Sequence, residues 1–425
     1  MRKKTEPQVQ VFSEIAPLKE VLVWGEPGIE SLLGQLIPKS KSLFFSYYEV
    51  LKAREEFRGL QALIEREGIS VIRAKDAAAR LLESHIFPSH PESIKELRNQ
   101  LLQRANEYYE TYKQIKAEEL LQTGIGLSFE DIYIQVKKDI DQILEEDIEY
   151  FGETGAIRIN YILSLAKKLP LANIFYGRDQ SQTLANKIIL SELKWDIRKP
   201  EVGVYKEALI ELGYRNSLIE IASGTLEGGD MAILDDTCYI GVGSRTELSA
   251  VKELCQKLGH TLEKHNIQLV AVINQQHAEE VDRFTAPTED HMSVMHLDMF
   301  WIPLRKNLVM ANNEEIDRRT VLRLSMDNGQ VITEDLGGFR DFLNNKKIEI
   351  MDVTVQEQRN FATNLLNLGN DTVIVALSKN ERVNNELRER GFRVMSAELN
   401  KLVNGYGATH CLTAPIKREG ASHRT

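Results

Sequence analysis

The sequence predicts an α/β protein made of repeated ββα units arranged as a barrel or propeller, with a helical insertion, rather than a single doubly wound sheet. Three observations predict it. After Leu169-Pro170, short strand-like runs recur in pairs, and several pairs are followed by one amphipathic helix, without obvious repetition of sequence. Between about 92 and 150 the texture changes to long polar helices rich in Glu, Lys and Gln. The 425 residues, 42% apolar and 27% charged, have the balance of an ordinary globular chain able to bury a large core.

The elements follow in order. Val21-Leu22-Val23-Trp24 reads as a short buried strand, and residues 49–67 carry apolar side chains at helical spacing up to Gly68. The polar helical stretch is punctuated at Gly124-Ile125-Gly126. Strands are then expected at 173–176, 231–234, 238–242, 269–273, 294–302, 308–310, 372–377 and 410–414, with helices at 247–258, 355–367 and 381–390.

Charge and cysteine content exclude several functions. A net charge of −10 argues against binding a phosphate backbone and suits a cationic small molecule. No apolar run reaches the length of a membrane span. The basic start Met1-Arg2-Lys3-Lys4 is not followed by the apolar core of a signal peptide, and Cys238, Cys255 and Cys411 are too scattered for a disulfide framework. A cytoplasmic protein is expected.

Three clusters carry candidate chemistry. Cys411 lies where a loop with two glycines, Gly405-Tyr406-Gly407, enters an expected strand, whereas Cys238 and Cys255 fall on apolar faces and read as buried packing residues. His296 and Asp298 stand two apart in an expected strand, which would place them on one face. Glu227-Gly228-Gly229-Asp230 sets two carboxylates around a Gly-Gly bend, and Arg245 follows beside Gly241-Val242-Gly243. That Gly-x-Gly lacks the other residues of a nucleotide loop. His260, His265, His277 and His291 show no zinc-hydrolase spacing, so metal binding is not expected.

Taken together, Asn173-Ile174-Phe175-Tyr176-Gly177-Arg178-Asp179, Glu227-Gly228-Gly229-Asp230, 241–246, Met295-His296-Leu297-Asp298 and His410-Cys411 resemble the guanidino-group-modifying superfamily, most closely the bacterial arginine deiminases. Ser13-Glu14 with Leu18-Lys19-Glu20-Val21-Leu22-Val23 resembles that family's opening strand, so the likeness runs nearly end to end. It implies a five-bladed ββαβ propeller, the pentein fold, in one catalytic domain over 1–425 with its helical insertion at about 92–150. It also implies hydrolysis of L-arginine to citrulline and ammonia by a homo-oligomer without metal or organic cofactor. Cys411 would attack the guanidinium carbon, Asp179 and Asp298 would hold its nitrogens, and His296, oriented by Glu227, would move the protons. Asn173, Arg198 and Arg245 would bind the α-carboxylate and amino group, with Asp230 and Gly405 lining the pocket. Tyr406 stands where the family carries an Arg, Gln180-Ser181 follow the Arg-Asp pair in place of Pro-Phe, and the early segment reads Leu43-Phe44-Phe45-Ser46-Tyr47. These departures bear on substrate choice. An amidinotransferase, a hydrolase of agmatine or methylated arginine, and a non-catalytic binding relative are the alternatives.

Overall fold

The computed structural model describes residues 7–81, 91–123, 125–274 and 294–420. Its strands form five sheets built on one plan, an antiparallel hairpin extended by a parallel strand that a helix delivers. A parallel neighbour needs such a crossover, because a tight turn can only reverse the chain. In chain order, β1 (Leu18–Val23) passes through the helix Val50–Arg66 to parallel β2 (Ser70–Arg73). Hairpin β3–β4 (Ser181–Leu184, Lys187–Leu190) leads by the helix Lys199–Glu211 to β5 (Leu218–Glu220). Hairpin β6–β7 (Met231–Leu234, Thr237–Val242) leads by the helix Leu248–Lys264 to β8 (Gln268–Ile273).

Hairpin β9–β10 (Trp301–Arg305, Leu308–Ala311) is followed by a second hairpin, β11–β12 (Thr320–Asp327, Gln330–Gly338), which adds to the sheet of β8. The turn Asn328-Gly329 has φ of 48° and 80°, the left-handed pair that a two-residue hairpin needs. The helix Phe339–Asn345 then leads to β13 (Glu349–Asp352), parallel to β10. Hairpin β14–β15 (Leu366–Gly369, Thr372–Val375) turns on Asn370-Asp371, and the helix Glu381–Glu389 leads to β16 (Arg393–Ser396). Finally β17 (Ala414–Arg418) pairs antiparallel with β1, so the fifth hairpin is made from residues about four hundred apart in sequence. The sheets are separate, each with its own edges.

Four expectations change. Residues 173–176 form a turn rather than a strand. In 294–302 only Trp301 onward is strand, because the preceding residues wind into a 3₁₀ turn, Leu297–Met299. The helix expected over 355–367 stops at Arg359, since its start is fixed by a Thr354–Glu357 capping box but the chain then turns into β14. The strand expected at 410–414 begins only at Ala414, leaving Cys411 in the turn before it.

The polar stretch forms two long helices, Ile94–Thr123 and Phe129–Ser164, the second begun by a Ser128–Asp131 capping box and kinked at Gly152, φ 73°. Its helical character therefore extends past residue 150. The apolar faces of these helices join the core around Trp24, Phe57 and Phe175.

One hairpin of each sheet is entered through a tight turn, and this repeated position supplies the site. The turn Gly177–Gln180 precedes β3, Gly228–Asp230 precedes β6 and Leu297–Met299 precedes β9, and the second of these turns lies against both others. Asn364 precedes β14 and Cys411 precedes β17 in the same way.

Candidate active site

The five turns converge on the Cys411 thiol, which is 1% exposed. Its loop is tied from two sides. The Asn364 side-chain oxygen accepts from the backbone N–H groups of Ala408, His410 and Cys411, each at 3.2 Å, and its Nδ2 lies 3.1 Å from Sγ. Arg178 Nε donates to the carbonyls of His410 and Thr413, both at 2.8 Å, while its backbone N–H donates to the Cys411 carbonyl. The thiol cannot drift without breaking several buried hydrogen bonds, each costly to leave unmade.

His296 opens its 3₁₀ turn in extended backbone, and its ring lies over the Gly228–Asp230 turn. A Cβ on Gly229 would come 2.7 Å from His296 Nδ1, and one on Gly228 would strike the Arg178 carbonyl. Both glycines are required by close approach, a stronger reason than the bend read from the sequence. Nε2 of His296 lies 2.8 Å from Glu227 Oε2, and Nδ1 faces Asp179 Oδ1 at 3.8 Å. Burial alone would raise the Glu227 carboxyl, but the Arg245 guanidinium at 3.4 Å and the His296 bond hold it well below the usual range. Burial opposes the His296 charge, yet Asp179, the Glu227 bond and Asp230 overcome it and push the imidazole up to about 9. His296 is thus an imidazolium at neutral pH.

The thiol is set the opposite way. Burial first, then the carboxylates of Asp298 and Asp179, push Cys411 well above its ordinary value and keep it protonated. Asp298 Oδ2 lies 3.8 Å from Sγ. Among the described residues, Asp179 Oδ1, Asp298 Oδ1 and His296 Nδ1 are buried atoms with no hydrogen-bond partner. Buried polar atoms generally find a partner, so these three, carried by residues set around the thiol, are available to a polar ligand.

The five catalytic residues named from sequence, Cys411, His296, Glu227, Asp179 and Asp298, are therefore brought together. His296 and Asp298 come together through a 3₁₀ turn rather than along one strand face. The other five are less uniform. Arg198 lines the site, but its guanidinium is shared between Asp179 at 2.8 Å and Glu201 at 3.0 Å. Burial raises Glu201 to about 7 against the pull of Arg198. Arg245 joins Glu227 and lies over the Trp195 ring at 5.7 Å.

Asn173 donates to the Ser42 carbonyl at 2.6 Å. Asp230 braces the turns, accepting from Leu297 N–H at 2.9 Å and Thr246 Oγ1 at 2.6 Å, and burial raises it to about 7. Gly405 lies against the Tyr176 hydroxyl, which donates to the Leu402 carbonyl. Tyr406 takes the left-handed region, φ 72°, packed between Phe45 and Phe361 with ring centroids at 5.1 and 5.3 Å. Phe361, which packs on Tyr406, is likewise left-handed at φ 60°.

Sequence reasoning missed Asn364 as a site residue and gave His410 no role. His410 Nδ1 sits 2.7 Å from Asp298 Oδ2. Asn364 could have been found by its place before a hairpin, matching the turns that carry Asp179, Glu227, His296 and Cys411.

Among the described residues one group could gather around a metal ion, Asp179, Glu227 and His296, with ligand atoms within 4.8 Å. Two of these atoms already face each other, and Arg198 and Arg245 put positive charge beside the group, which suits a hydrogen-bonded acid–base set better than a cation. His277 and His291 lie outside the described residues. Among the described residues, no helix is long and apolar enough to cross a membrane.

The family model for arginine deiminase matches residues 41–418. Arginine deiminase from Streptococcus sanguinis is 25% identical over 436 aligned residues, covering 97% of this chain and 98% of its own length. Among solved structures, SxtG, an amidinotransferase from Microseira wollei in the saxitoxin biosynthetic pathway, superposes with a TM-score of 0.53 at 15% identity, covering 97% of this chain and 98% of its own. A mutant of DDAH from Pseudomonas aeruginosa complexed with citrulline gives 0.51 at 12% identity, covering 93% and 98%. These two share the fold, that of the pentein superfamily. With a family match over nearly its whole length, the chain belongs to the arginine deiminase family, hydrolases acting on the C–N bonds of linear amidines.

Proposed function

We propose that the protein hydrolyses the guanidinium group of L-arginine to citrulline and ammonia through a covalent intermediate on Cys411. The observation that carries this reading is the pair of partnerless carboxylate oxygens, Asp179 Oδ1 and Asp298 Oδ1, beside a protonated thiol and a charged imidazole. A planar cation with N–H groups on both sides would satisfy both acids, each charge-assisted bond contributing about 1.5–3 kcal/mol.

Its positive charge would offset the carboxylates that hold the thiol protonated, so the thiolate would form as substrate enters, its proton passing to solvent while Asp298 stays ionised against the cation. Sγ would then bond to the guanidinium carbon. His296 would give its proton to the departing nitrogen as that C–N bond breaks, releasing ammonia and leaving an S-alkylthiouronium. The neutral imidazole would take a proton from water as the oxygen adds to carbon. Collapse would break the C–S bond, restore the thiolate, and release citrulline with the remaining proton. These steps draw on the protein's own residues and need no metal or organic cofactor.

In this reading Asn173, Asp230, Arg198, Arg245 and Gly405 shape the part of the pocket that holds the amino-acid end. The five sheets would form the blades of one propeller, a single domain carrying the long helices as an insertion, and the enzyme would work as a cytoplasmic homo-oligomer. A second reading, a different guanidine such as agmatine or methylated arginine, is favoured by one observation. The loop position where the family carries an Arg holds Tyr406 packed between two phenylalanines, and an aromatic ring cannot grip a carboxylate as a guanidinium does.

Incubation of the purified protein with L-arginine, with agmatine, and with L-arginine plus glycine tests these readings. A ureido product from arginine alone supports the deiminase. Product from agmatine alone supports the second reading, guanidinoacetate reveals a transferase, and no product from these three or from methylated arginine would sink all of them.

A further inference from the structure

Behind Asp298 lies a set of buried groups that the proposed chemistry does not use. His410 Nδ1 is 2.7 Å from Asp298 Oδ2, and Nε2 is 3.4 Å from Glu14 Oε1. Glu14 also lies 3.2 Å from Arg418 and 3.6 Å from Arg178. Each of these five side chains is at most 3% exposed. Despite burial, Arg178, Arg418 and the nearby His410 hold the Glu14 carboxyl well below its usual range, so it is a fixed anion. Arg178 and Arg418 are themselves fastened to backbone carbonyls, of His410 and Thr413 and of Ala16 and Asn367 respectively. Glu14 is therefore held in place beneath His410, whose Nε2 faces it at 3.4 Å without a formed hydrogen bond.

The geometry constrains Asp298. A carboxylate accepts, so Nδ1 must be the donor in the short contact to Oδ2. That bond sets the plane of the carboxylate and leaves Oδ1 as the atom without a partner. Without it, Asp298 could rotate about its last torsion, which is broad for a carboxylate.

We propose that His410, anchored by Glu14, is a positioning residue that fixes Asp298 so that Oδ1 faces the bound guanidinium; the proposal rests on the reading of the site as a guanidine-binding one.

The test is protection of Cys411 from iodoacetamide by methylguanidine, which reports occupancy of the clamp without requiring turnover or an amino-acid end. His410→Asn can keep an amide N–H where Nδ1 stands, and His410→Gln reaches instead toward the Nε2 position. Gln should raise the methylguanidine concentration for half-protection by about tenfold or more, the lower end of what partners behind a ligand cost in metal sites. Asn should keep it within about threefold of the unaltered protein, a change no larger than one ordinary hydrogen bond. Melting temperatures of both variants serve as the folding check. Equal half-protection in the two variants, whether both unchanged or both weakened, would overturn the proposal while leaving the guanidine reading intact. Failure of methylguanidine to protect the unaltered protein would overturn the guanidine reading and this proposal with it.

Discussion

Two buried strings of the same four residue types approach the thiol from different sides. One runs Arg245–Glu227–His296 with Asp179 facing the ring, and the other runs Arg418–Glu14–His410–Asp298. In the first, the short contact, 2.8 Å, joins imidazole to glutamate, and the aspartate stays 3.8 Å away. In the second, the short contact, 2.7 Å, joins imidazole to aspartate, and the glutamate is at 3.4 Å. The placement of the short bond decides the work. A ring held from behind leaves its other nitrogen to meet a reacting atom, whereas a ring bonded forward spends that nitrogen on a neighbour.

The difference can be broken by substitution. Cys411→Ser, which removes the centre both strings serve, should lower arginine turnover by at least about a thousandfold with melting temperature little changed; release of ammonia near the unaltered rate would exclude the covalent route. Glu227→Gln should lower kcat roughly 100-fold to 10,000-fold, the range for a displaced acid–base group. Glu14→Gln should act first on the fold. It leaves Arg178 and Arg418 buried without their counter-charge, a loss of about 3–5 kcal/mol that denaturant unfolding would measure. If Glu14→Gln destabilised no more than Glu227→Gln, the two strings would be equivalent and the distinction drawn between them would fail.

The smallest expected effect is a displaced pH limb. The His296 imidazole is raised from an ordinary value near 6.5 to about 9, so its stabilising ion pair is fully present below pH about 6.5 and lost as pH rises through about 9. Arginine kcat/KM should fall over the same alkaline range, since the free enzyme must enter with the proton in place. Glu227→Gln removes a bond and a charge that favour the imidazolium, and should move that limb to lower pH. A limb unmoved by that change would assign it to another group.

Legibility in the sequence followed the distance over which each feature is decided. Turn chemistry is local, so Glu227-Gly228-Gly229-Asp230 was visible as a unit, and the alternation of hairpins and helices gave the repeated plan. What lay between local signals was harder. The run at 294–302 is apolar enough for a strand, but His296 and Asp298 must turn toward the thiol, and the strand is delayed to Trp301. Residues 355–367 have helical spacing, but Asn364 must reach the nucleophile loop 44–47 positions later, and the helix stops at Arg359. Arg198 stands three residues from Glu201, a spacing the sequence shows, but its bond to Asp179 spans nineteen positions. Partners chosen across the fold leave no mark in a neighbouring residue.

The pairing of β17 with β1 has a consequence for assembly. Leu18 and Arg418 are paired across almost the whole chain, and the turn bearing Cys411 leads directly into β17. Contacts of such long sequence separation form late, because the entropy of closing the intervening loop must be overcome first. During synthesis the acids and His296 precede the thiol by more than a hundred residues, and Glu14 and Asp179 wait longer still. Reactivity would thus switch on only with that closure, and the rate at which ammonia-releasing activity appears on refolding would time the joining of the β17–β1 hairpin.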